Sequence, residues 1–569
     1  MDNRLWGYNP YFMAGYPSNT IQDLSIKFFE FTALALSAIA FSTIQWFKIC
    51  AFLAMASVPW LMYFSARNFF IPDKTKHWAS LAAALLGTIY WWNSLPREMF
   101  FYGMIGFTTA SYLSVLGVSL LYRLAAQPFN SPAIYAGWLL FAAAILPLHV
   151  QSVVNFLPPM IALLAVRRSL LTGRILLWLG AAGLIAALVN SPWIVTAFLH
   201  RGDDMSAAIV AQLPLFAANH PLIFLLDYLG PEGFWTFRPS FVEKGFRVTL
   251  LVLGTWGVWK MIQSERRHLG IMLASALAVL FLIAYFGAFL PLLQPWQPLR
   301  FKVPLDLFLV IGAVHCAARW FAEPAASRTK AVPILLAIGL IAFVVNLAQT
   351  ESSGKLQLRS RPVPPLEAIA DWVARETPAG ARVLFEESGD ETGFVYDGVY
   401  LSALLPRWTG RQLIGGPINF YNDRHHFAEF HSGRLFQRDV QTWADEELRN
   451  YFRLYNIGAV VAFHPASVQR LLSIPGLVTT EKRVGPVHLM KVQQTLSWFI
   501  EGEGKVRAGF NRLELSDITG KEVVLKYHWV AGLRSEPVVA IVPVKIADDP
   551  IPFIKLINPP PNLTLRVGS

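Results

Sequence analysis

The feature that most constrains the fold is a series of long apolar runs, all of which end before residue 350. They include "ICAFLAMASVPWLMYF", "WASLAAALLGTIYWW", "ILLWLGAAGLIAALV", "LGIMLASALAVLFLIAYFGAFL" and "AVPILLAIGLIAFVV". The runs are apolar on every face, which is typical of helices that face lipid. Charged residues make up 15% of the chain, against roughly 25% in soluble proteins. The sequence therefore predicts a mostly α polytopic membrane protein with about ten to eleven transmembrane helices.

Clusters of Lys and Arg in the short loops predict which side of the membrane each loop faces. Cytoplasmic loops carry an excess of these residues, and placing five clusters inside gives a consistent path of about ten spans from residue 46 onward. The clusters are Arg67, Lys74 and Lys76; Arg123; Arg167, Arg168 and Arg174; Lys260, Arg266 and Arg267; and Arg319, Arg328 and Lys330. The last span, at about 331–348, then exits outward, so the C-terminal part is predicted to be extracytoplasmic.

The same argument leaves the N-terminal 1–45 region with two interpretations. Its apolar segment, at about 24–44, contains Lys27 and Glu30. The segment either spans the membrane, which leaves the aromatic start of the chain in the cytoplasm, or lies half-buried on the outer face. Charge counting does not decide between them, so the side of residues 1–25 stays open.

The composition changes near residue 350 and divides the chain into further domains. Residues 46–350 form the predicted transmembrane domain. In 356–495, "PLEAIADWVARETPAGARVLFEES" is typical of an amphipathic helix, a turn and a strand, which predicts an extracytoplasmic α/β domain. In 496–569, alternating Val, Ile and Lys broken by Pro and Gly predict a β-rich, β-sandwich-like domain.

The net charge of +11 does not indicate a nucleic-acid partner, because many of the cations lie in short loops between spans, where they set topology.

Cys50 and Cys316 lie in apolar segments far apart in sequence and form no disulfide framework or zinc pattern. The chain has no G-x-x-x-x-G-K-[ST] motif, so it contains no ATP-driven pump machinery of that kind.

Short motifs in the predicted outer loops resemble those of a known family. "LWGYNPYFMAGYP" resembles the first extracytoplasmic loop of polytopic glycosyltransferases of the C superfamily. Among these, it is most similar to the membrane proteins labelled pyruvoyl-tetrahydropterin-synthase-related, whose loops carry a W-x-P-x-x-x-x-G-x-P pattern. "LQPWQPLRF" resembles a later loop of the same group, in which an Arg follows Gln-Pro, and the tail with "GRQLIGGP" resembles theirs.

The resemblance implies one more transmembrane helix before the aromatic loop, followed directly by a catalytic Asp or Glu. In this sequence Asp2 is the one carboxylate before the motif, and no apolar span precedes it. The expectation is therefore a member that lacks the first transmembrane helix and the usual catalytic carboxylate loop.

Sugar transfer from a polyprenyl phosphate needs a general base near the acceptor hydroxyl. Four carboxylates in the predicted outer loops are candidates: Glu98, Asp203, Asp204 and Asp227. Asp203 and Asp204 are neighbours in "HRGDDM", so each would shift the pKa of the other. Such a pair could also bind a divalent metal ion, although no cofactor is predicted. The apolar sequence around Asp227 predicts a raised pKa. Each candidate also has a structural interpretation. Glu98 could form a surface pair with Arg97, Asp203 and Asp204 could lie in a solvated loop or cap a helix, and Asp227 could cap a helix or pair with a cation.

The same reaction needs cations that hold the lipid phosphate. Arg300 is the first choice, because it precedes a span at the predicted headgroup level and matches the family pattern; Lys302 and His149 accompany it. The aromatic loop adds substrate-binding candidates in Trp6, Tyr8, Asn9 and Tyr16. Interfacial snorkelling is the alternative for Arg300. "YNDRHHFAEFH" matches no zinc signature, so no metal site is predicted.

These observations predict a membrane glycosyltransferase-like protein of a bacterial or archaeal plasma membrane. It would take a hexose or pentose from a polyprenyl-phosphate donor at the outer face and modify a lipid, glycan or protein. The alternative is a non-catalytic polysaccharide-handling or scaffolding protein of the same fold. A secondary transporter is the third interpretation, disfavoured because charges near the middle of the spans are few.

Overall fold

The computed structural model describes most of the 569-residue chain and divides it into two compact units. The described residues are 7–18, 26–70, 76–93, 95–101, 103–126, 132–167, 172–199, 222–229, 241–322, 364–387, 395–396, 401–416 and 423–568, with single positions between 337 and 348. One unit combines residues 7–18 and 364–568 with the end of one helix, 195–199, and the other is helical and contains residues 26–194 and 222–322. The predicted last span, at about 331–348, lies largely outside the described residues.

The helical unit contains twelve helices among the residues described. They are α1 Lys27–Ser37, α2 Thr43–Phe69, α3 Lys76–Asn93, α4 Leu95–Phe101, α5 Ile105–Ala126, α6 Pro132–Leu148, α7 Val153–Val166, α8 Gly173–Leu199, α9 Ile223–Leu229, α10 Phe241–Ile262, α11 Arg267–Phe286 and α12 Lys302–Ala322. Five stretches of the described chain are long and apolar enough to cross a membrane: Thr43–Phe69, Ile105–Ala125, Ile175–Val195, Arg267–Phe289 and Pro298–Trp320. The predicted integral membrane protein is confirmed, and the predicted helix number stays a prediction.

The helices differ in how much of their surface is covered by protein. The stretches in α5 and α12 are 78% and 94% buried, whereas the stretch in α8 is 17% buried. On α8, Leu177, Leu184 and Leu188 are each more than 60% exposed. Exposed leucines on one helix are expected where lipid tails are the solvent. The helical unit therefore has central helices, α5 and α12, and peripheral ones such as α8.

The other unit begins with an α/β layer. Its five-stranded sheet has the order β4-β3-β8-β10-β9, in which β4, β3 and β8 are parallel and the remaining pairs antiparallel. The elements are α13 Pro364–Glu376, β3 Arg382–Phe385, α14 Leu401–Thr409, β4 Gln412–Gly415, α15 Asp445–Leu454, β8 Ile457–Ala462, α16 Pro465–Ser473, β9 Val478–Val484 and β10 Val487–Val492, with β5 Phe430–His431, β6 Arg434–Leu435 and β7 Arg438–Asp439 in a small separate sheet. The central strand β8, "IGAVVA", is buried at every position, as parallel strands covered on both faces require.

A β-rich layer follows the α/β layer along the chain, as the sequence predicts. It is one six-stranded antiparallel sheet rather than two packed sheets. Its strands are β11 Phe499–Gly509, β12 Arg512–His528, β13 Leu533–Glu536, β14 Ala540–Val544, β15 Phe553–Ile557 and β16 Leu563–Val567. The 17-residue β12 pairs with β11, β15 and β16. One long strand, β12, thus connects the strands into a single sheet, whereas a β-sandwich would have two separate sheets.

The N-terminal segment belongs to this same unit. Its strands β1 Gly7–Asn9 and β2 Tyr16–Ser18 form a hairpin. Backbone bonds join the segment to both layers: Met13 N–H donates to the Leu413 carbonyl at 2.9 Å, and His528 N–H donates to the Ala14 carbonyl at 2.8 Å. Residues 7–18 are therefore part of the core of the C-terminal unit.

This arrangement constrains the membrane topology. One folded unit lies on one side of a bilayer, so the chain between residues 18 and 364 crosses the membrane an even number of times. The predicted ten spans from residue 46 onward satisfy this condition, and α1 as an eleventh would not. Moreover α1 has 11 residues and is about 16 Å long, whereas the hydrocarbon core is about 30 Å thick. Both interpretations of the N-terminal region stay predictions, and these observations favour the half-buried helix.

Candidate functional site

Arg300 lies on a short 3-10 turn, Pro298–Phe301, which leads directly into α12. The turn begins after Gln297, whose backbone is left-handed at φ 51°. Pro298 packs against Gly287, where an added Cβ would lie 2.9 Å from the proline Cβ. Only glycine permits that approach. Local backbone geometry and close packing thus fix the position from which Arg300 extends.

The guanidinium of Arg300 is buried against an aromatic ring. The residue is 9% exposed, and its Cζ lies 5.5 Å from the centroid of the Phe107 ring on α5. A cation in this position is attracted by the negative face of the ring. Arg300 is consequently held inside the helical unit rather than extended into solvent.

His149 contacts the same aromatic ring. It lies between α6 and a second 3-10 turn, Val150–Ser152, and its Nδ1 accepts a hydrogen bond from the Gln151 N–H at 3.3 Å. Its ring is 5.0 Å from that of Phe107 in an edge-on arrangement. Burial, and then the nearby Arg300 charge, lower the pKa of His149. The ring is therefore neutral near pH 7, with Nδ1 as acceptor and Nε2 as donor.

Arg300 and His149 were both predicted from sequence as substrate-binding residues, and the structure brings them together. The residue that joins them, Phe107, was not predicted. Its position one turn inside α5 carries no signal that separates it from the other apolar residues of that helix. We name the group of Arg300, His149 and Phe107 the cation–aromatic site.

A second polar group lies in the same unit and consists of two carboxylates and two cations. Arg247 on α10 bonds Asp227 on α9 at 2.9 Å and Asp306 on α12 at 2.8 Å. Lys302 bonds the second oxygen of Asp227 at 2.8 Å. All four residues are less than 10% exposed. We name them the ion-pair cluster; their formal charges sum to zero.

Tyrosines add hydrogen bonds to this cluster. Tyr285 donates to Asp227 at 2.8 Å and accepts from Arg247 at 3.2 Å. Tyr228 donates to Asp306 at 3.2 Å. Buried charges are tolerated when their hydrogen bonds are satisfied in this way. The ion-pair cluster therefore holds α9, α10, α11 and α12 together.

The expected raised pKa of Asp227 is wrong. Burial alone would raise it, but Arg247 and then Lys302 oppose burial and hold the pKa of this carboxyl well below its ordinary value. The sequence-based expectation considered only the apolar neighbours in the chain and not the cations that tertiary folding brings in. Asp227 is thus a poor proton acceptor at neutral pH, and the positive charge of Lys302 is already compensated. Their catalytic and binding roles remain predictions.

Arg247 and Asp306 were not predicted from the sequence as functional residues. A usable signal existed, because charged residues inside predicted spans are rare and mark functional or structural polar contacts. Asp306 lies four residues after Lys302 in "KVPLDLFLV", which places both on one helical face.

Glu98 is the remaining catalytic candidate that the structure describes. It lies on the short helix α4, where 30% of its side chain is exposed, and its carboxylate is 3.9 Å from the Arg97 guanidinium. This is a loose contact compared with those of the ion-pair cluster. Asp203 and Asp204 lie outside the described residues.

The N-terminal binding candidates lie in the C-terminal unit rather than in the helical unit. Tyr8 is 1% exposed and donates its hydroxyl hydrogen to the His528 carbonyl at 2.9 Å. Asn9 accepts from the Tyr11 N–H at 3.0 Å, which stabilises the turn. Gly15, in the family-like motif, has φ 101°, and an added Cβ would lie 1.8 Å from the Tyr8 hydroxyl. The motif is explained by packing of this hairpin.

Two further binding candidates were predicted in the N-terminal segment. Tyr16 is buried, with its ring 6.0 Å from that of His425. Trp6 lies outside the described residues. Within the described chain, no group of three or more His, Cys, Asp or Glu side chains is arranged to hold a metal ion.

Comparisons with known proteins give structural likenesses only. No protein-family model matches the chain, and no curated protein sequence matches it. ArnT from Cupriavidus metallidurans in the apo state is similar with a TM-score of 0.42 and 13% identity, over 82% of this chain and 88% of ArnT. The archaeal oligosaccharyltransferase AglB from Archaeoglobus fulgidus, in complex with an inhibitory peptide and a dolichol-phosphate, has a TM-score of 0.37 and 10% identity, over 81% of this chain and 63% of AglB.

Both proteins are membrane glycosyltransferases of the C superfamily, the group that the sequence motifs resemble. At TM-scores below 0.5, neither likeness carries an argument about the activity of this chain or about any single residue.

Proposed function

We propose that this protein is a membrane glycosyltransferase-like protein that binds a polyprenyl-phosphate-linked sugar, with Arg300 as the phosphate-binding residue. The observation that carries the proposal is the buried guanidinium of Arg300, fixed against Phe107 beside His149. A guanidinium donates two parallel hydrogen bonds to phosphate oxygens. In surroundings of low dielectric constant, its attraction for the phosphate is stronger than in water.

Each described residue has a distinct part in this proposal. Arg300 binds the phosphate oxygens, and the neutral His149 donates a hydrogen bond from Nε2 to the bound lipid-linked sugar. Glu98, which is partly exposed, is the described candidate that we assign as general base toward an acceptor hydroxyl. Asp227 is unsuited to that task because two cations hold it ionised.

A non-catalytic member of the same fold is the second candidate, and one observation favours it. Both carboxylates of the ion-pair cluster are fully engaged, so neither offers a proton acceptor. Such a protein would bind the lipid-linked sugar and hand it on without transferring it. Binding measurements test the site, and product formation separates the two candidates.

The test uses the full chain in lipid nanodiscs with radiolabelled decaprenyl phosphate and its glucose, mannose and ribose derivatives. We expect Arg300→Lys to weaken binding of all bound lipids by about ten- to a hundredfold, because Lys cannot form the paired bonds of Arg. The matched control is Arg266→Lys, which alters an Arg whose Cζ lies 5.1 Å above the Phe70 ring. Wild-type affinity in Arg300→Lys would leave Arg300 as an interfacial anchor only.

Orientation is tested separately. We propose that the C-terminal unit is extracytoplasmic, which is supported by the Lys and Arg clusters in the short loops. Because residues 7–18 belong to that unit, reporters fused before residue 1 and after residue 569 should give the same result. Alkaline phosphatase, which is active only after export, should be active at both ends. Fluorescence of a cytoplasmic reporter at either end would contradict the orientation.

A further inference from the structure

Asn155, on α7, is the exception among the buried asparagines of the described chain. Five asparagines are buried, and four of them bond both ends of the side-chain amide. The bonded four are Asn68, Asn190, Asn456 and Asn511. Asn155 is 0% exposed, and within the described residues neither its oxygen nor its nitrogen has a partner.

The unsatisfied group extends beyond one side chain. Ser152 is also 0% exposed, and its hydroxyl has no hydrogen-bond partner within the described chain. Positions three residues apart lie above one another in a 3-10 turn and on neighbouring positions of an α-helix face. His149, Ser152 and Asn155 are spaced in this way across the junction of the 3-10 turn and α7. His149 is the extended N-cap of the 3-10 turn, Ser152 is the N-cap of α7, and Asn155 lies in the first turn of α7; we name these three residues the polar face of α7.

Two prolines add backbone acceptors to the same segment. An α-helical carbonyl normally accepts from the N–H four residues later. Pro158 and Pro159 lie within α7 and have no N–H, so Val154 and Asn155 lack that donor. The segment therefore presents the Asn155 amide, the Ser152 hydroxyl and two carbonyls whose helical donor is missing.

Leaving such groups unsatisfied in apolar surroundings is costly, and native structures rarely do so without a reason. The functional reason is best judged from the chemistry presented. Backbone carbonyls accept hydrogen bonds, and the Asn155 amide and the Ser152 hydroxyl both donate and accept them. This combination suits the hydroxyl groups of a sugar, which also donate and accept, whereas a phosphate dianion offers acceptors only. The cation–aromatic site, which shares His149 with this face, presents the cation that a phosphate needs.

We propose that the polar face of α7, His149, Ser152 and Asn155, binds the sugar of the lipid-linked donor whose phosphate contacts Arg300. This inference rests on the proposed function and adds to it the residues that select for the sugar. Access requires movement of the first turns of α7, and the missing proline N–H groups leave that part of the helix easier to bend.

The experiment measures two binding equilibria with the full chain in nanodiscs. One probe is decaprenyl phosphate without sugar, and the others are its glucose, mannose and ribose derivatives. We expect Asn155→Leu to leave the affinity for bare decaprenyl phosphate within twofold of wild type. The same variant should weaken the best sugar-bearing probe at least tenfold.

A stability measurement on the ligand-free protein distinguishes this from structural damage. Asn155→Leu should keep or raise the thermal midpoint, because it removes an unsatisfied buried amide. The matched control is Asn190→Leu, since Asn190 bonds Ala186 and Trp193. It should lower the midpoint and leave both affinities unchanged. If Asn155→Leu does not insert, Ser152→Ala replaces it, with at least a threefold loss for the sugar-bearing probe alone.

The outcomes separate the two proposals. Unchanged affinity of Asn155→Leu, or of its substitute, for every sugar-bearing probe overturns the sugar site and leaves the phosphate site standing. Equal wild-type affinity for bare and sugar-bearing lipids does the same. If the wild type binds none of these lipids, the proposed function fails, and the sugar site fails with it.

Discussion

The ion-pair cluster and the polar face of α7 are two buried polar regions of the same helical unit, and they differ in how their hydrogen bonds are satisfied. In the cluster, Asp227 accepts hydrogen bonds from Lys302 and Tyr285 and forms an ion pair with Arg247. On the polar face, Asn155 and Ser152 have no side-chain partner within the described residues. Both regions are almost completely buried.

The difference indicates that charge alone does not identify a ligand site in this protein. In the more highly charged region each charge is paired with an opposite charge without a ligand, and the region stabilises the packing of four helices. The uncharged region is incomplete, so a ligand can improve its hydrogen bonding. Unsatisfied polar atoms are therefore better guides to a binding site here than ionisable groups, and substitutions in the two regions should have opposite consequences for stability.

The largest effect is expected from Arg247→Met. This variant leaves Asp306 buried with Tyr228 as its remaining described partner, and the loss of one partner of a buried ion pair costs about 3–5 kcal/mol. Thermal unfolding of the full chain in detergent measures it. Arg266→Met, which loses a cation–π contact with Phe70, should cost about 1 kcal/mol at most. Equal midpoints for these two variants would contradict the structural role of the cluster.

A smaller loss is expected from Lys302→Met, because Asp227 keeps its bonds to Arg247 and Tyr285. One charge-assisted hydrogen bond accounts for about 1.5–3 kcal/mol. The double variant Lys302→Met/Asp227→Asn should be less destabilised than the sum of the two single variants, since they share one interaction. Additive effects in thermal unfolding would show that the two residues do not interact.

The C-terminal unit contains a buried cation, Lys526, that donates to a backbone carbonyl, that of Arg453. Burial, and then the Arg382 charge, lower the pKa of Lys526 to about 8, below its ordinary value near 10.4. Between these values the unfolded chain binds a proton that the folded chain has released, so stability rises with pH. We expect the midpoint difference between wild type and Lys526→Met to change in favour of wild type from pH 7.5 to 9.5. A constant difference across that range would contradict the lowered pKa.

The smallest effect is expected from Ser152→Ala in the ligand-free protein. Its hydroxyl has no partner in the described chain, so its removal should change stability by about 0.5 kcal/mol or less. Ser119→Ala is the matched control, because its hydroxyl donates to Leu116 and accepts from Asn68, and it should cost about 1–2 kcal/mol. If the two serines prove equally important in chemical unfolding, the polar face is satisfied by bound water.

Local sequence patterns predicted the features that depend on local physics. Apolar runs longer than a bilayer is thick predict membrane helices wherever they occur, and alternation with Pro and Gly predicts the β-rich end. Arg300 and His149 were found in the same way, as polar residues at the ends of apolar runs. Each of these predictions needs only the neighbours of a residue in the chain.

The structure decided what depends on distant partners. Tyr8 is bonded to Asn511 and His528, more than 500 residues away, so a segment predicted to bind substrate forms part of the C-terminal core. Asp227 lies in an apolar stretch of sequence, yet Arg247 and Lys302 hold it ionised.

The sequence by itself determined that this chain enters a membrane, because hydrophobicity and helix length are properties of contiguous residues. Tertiary structure alone determined which polar groups are satisfied, because a hydrogen bond depends on the position of both partners in space. Asn155 and Asn68 are both asparagines within apolar helices. Only folding brings Ser119 and Arg123 to Asn68, whereas Asn155 has no side-chain partner within the described residues.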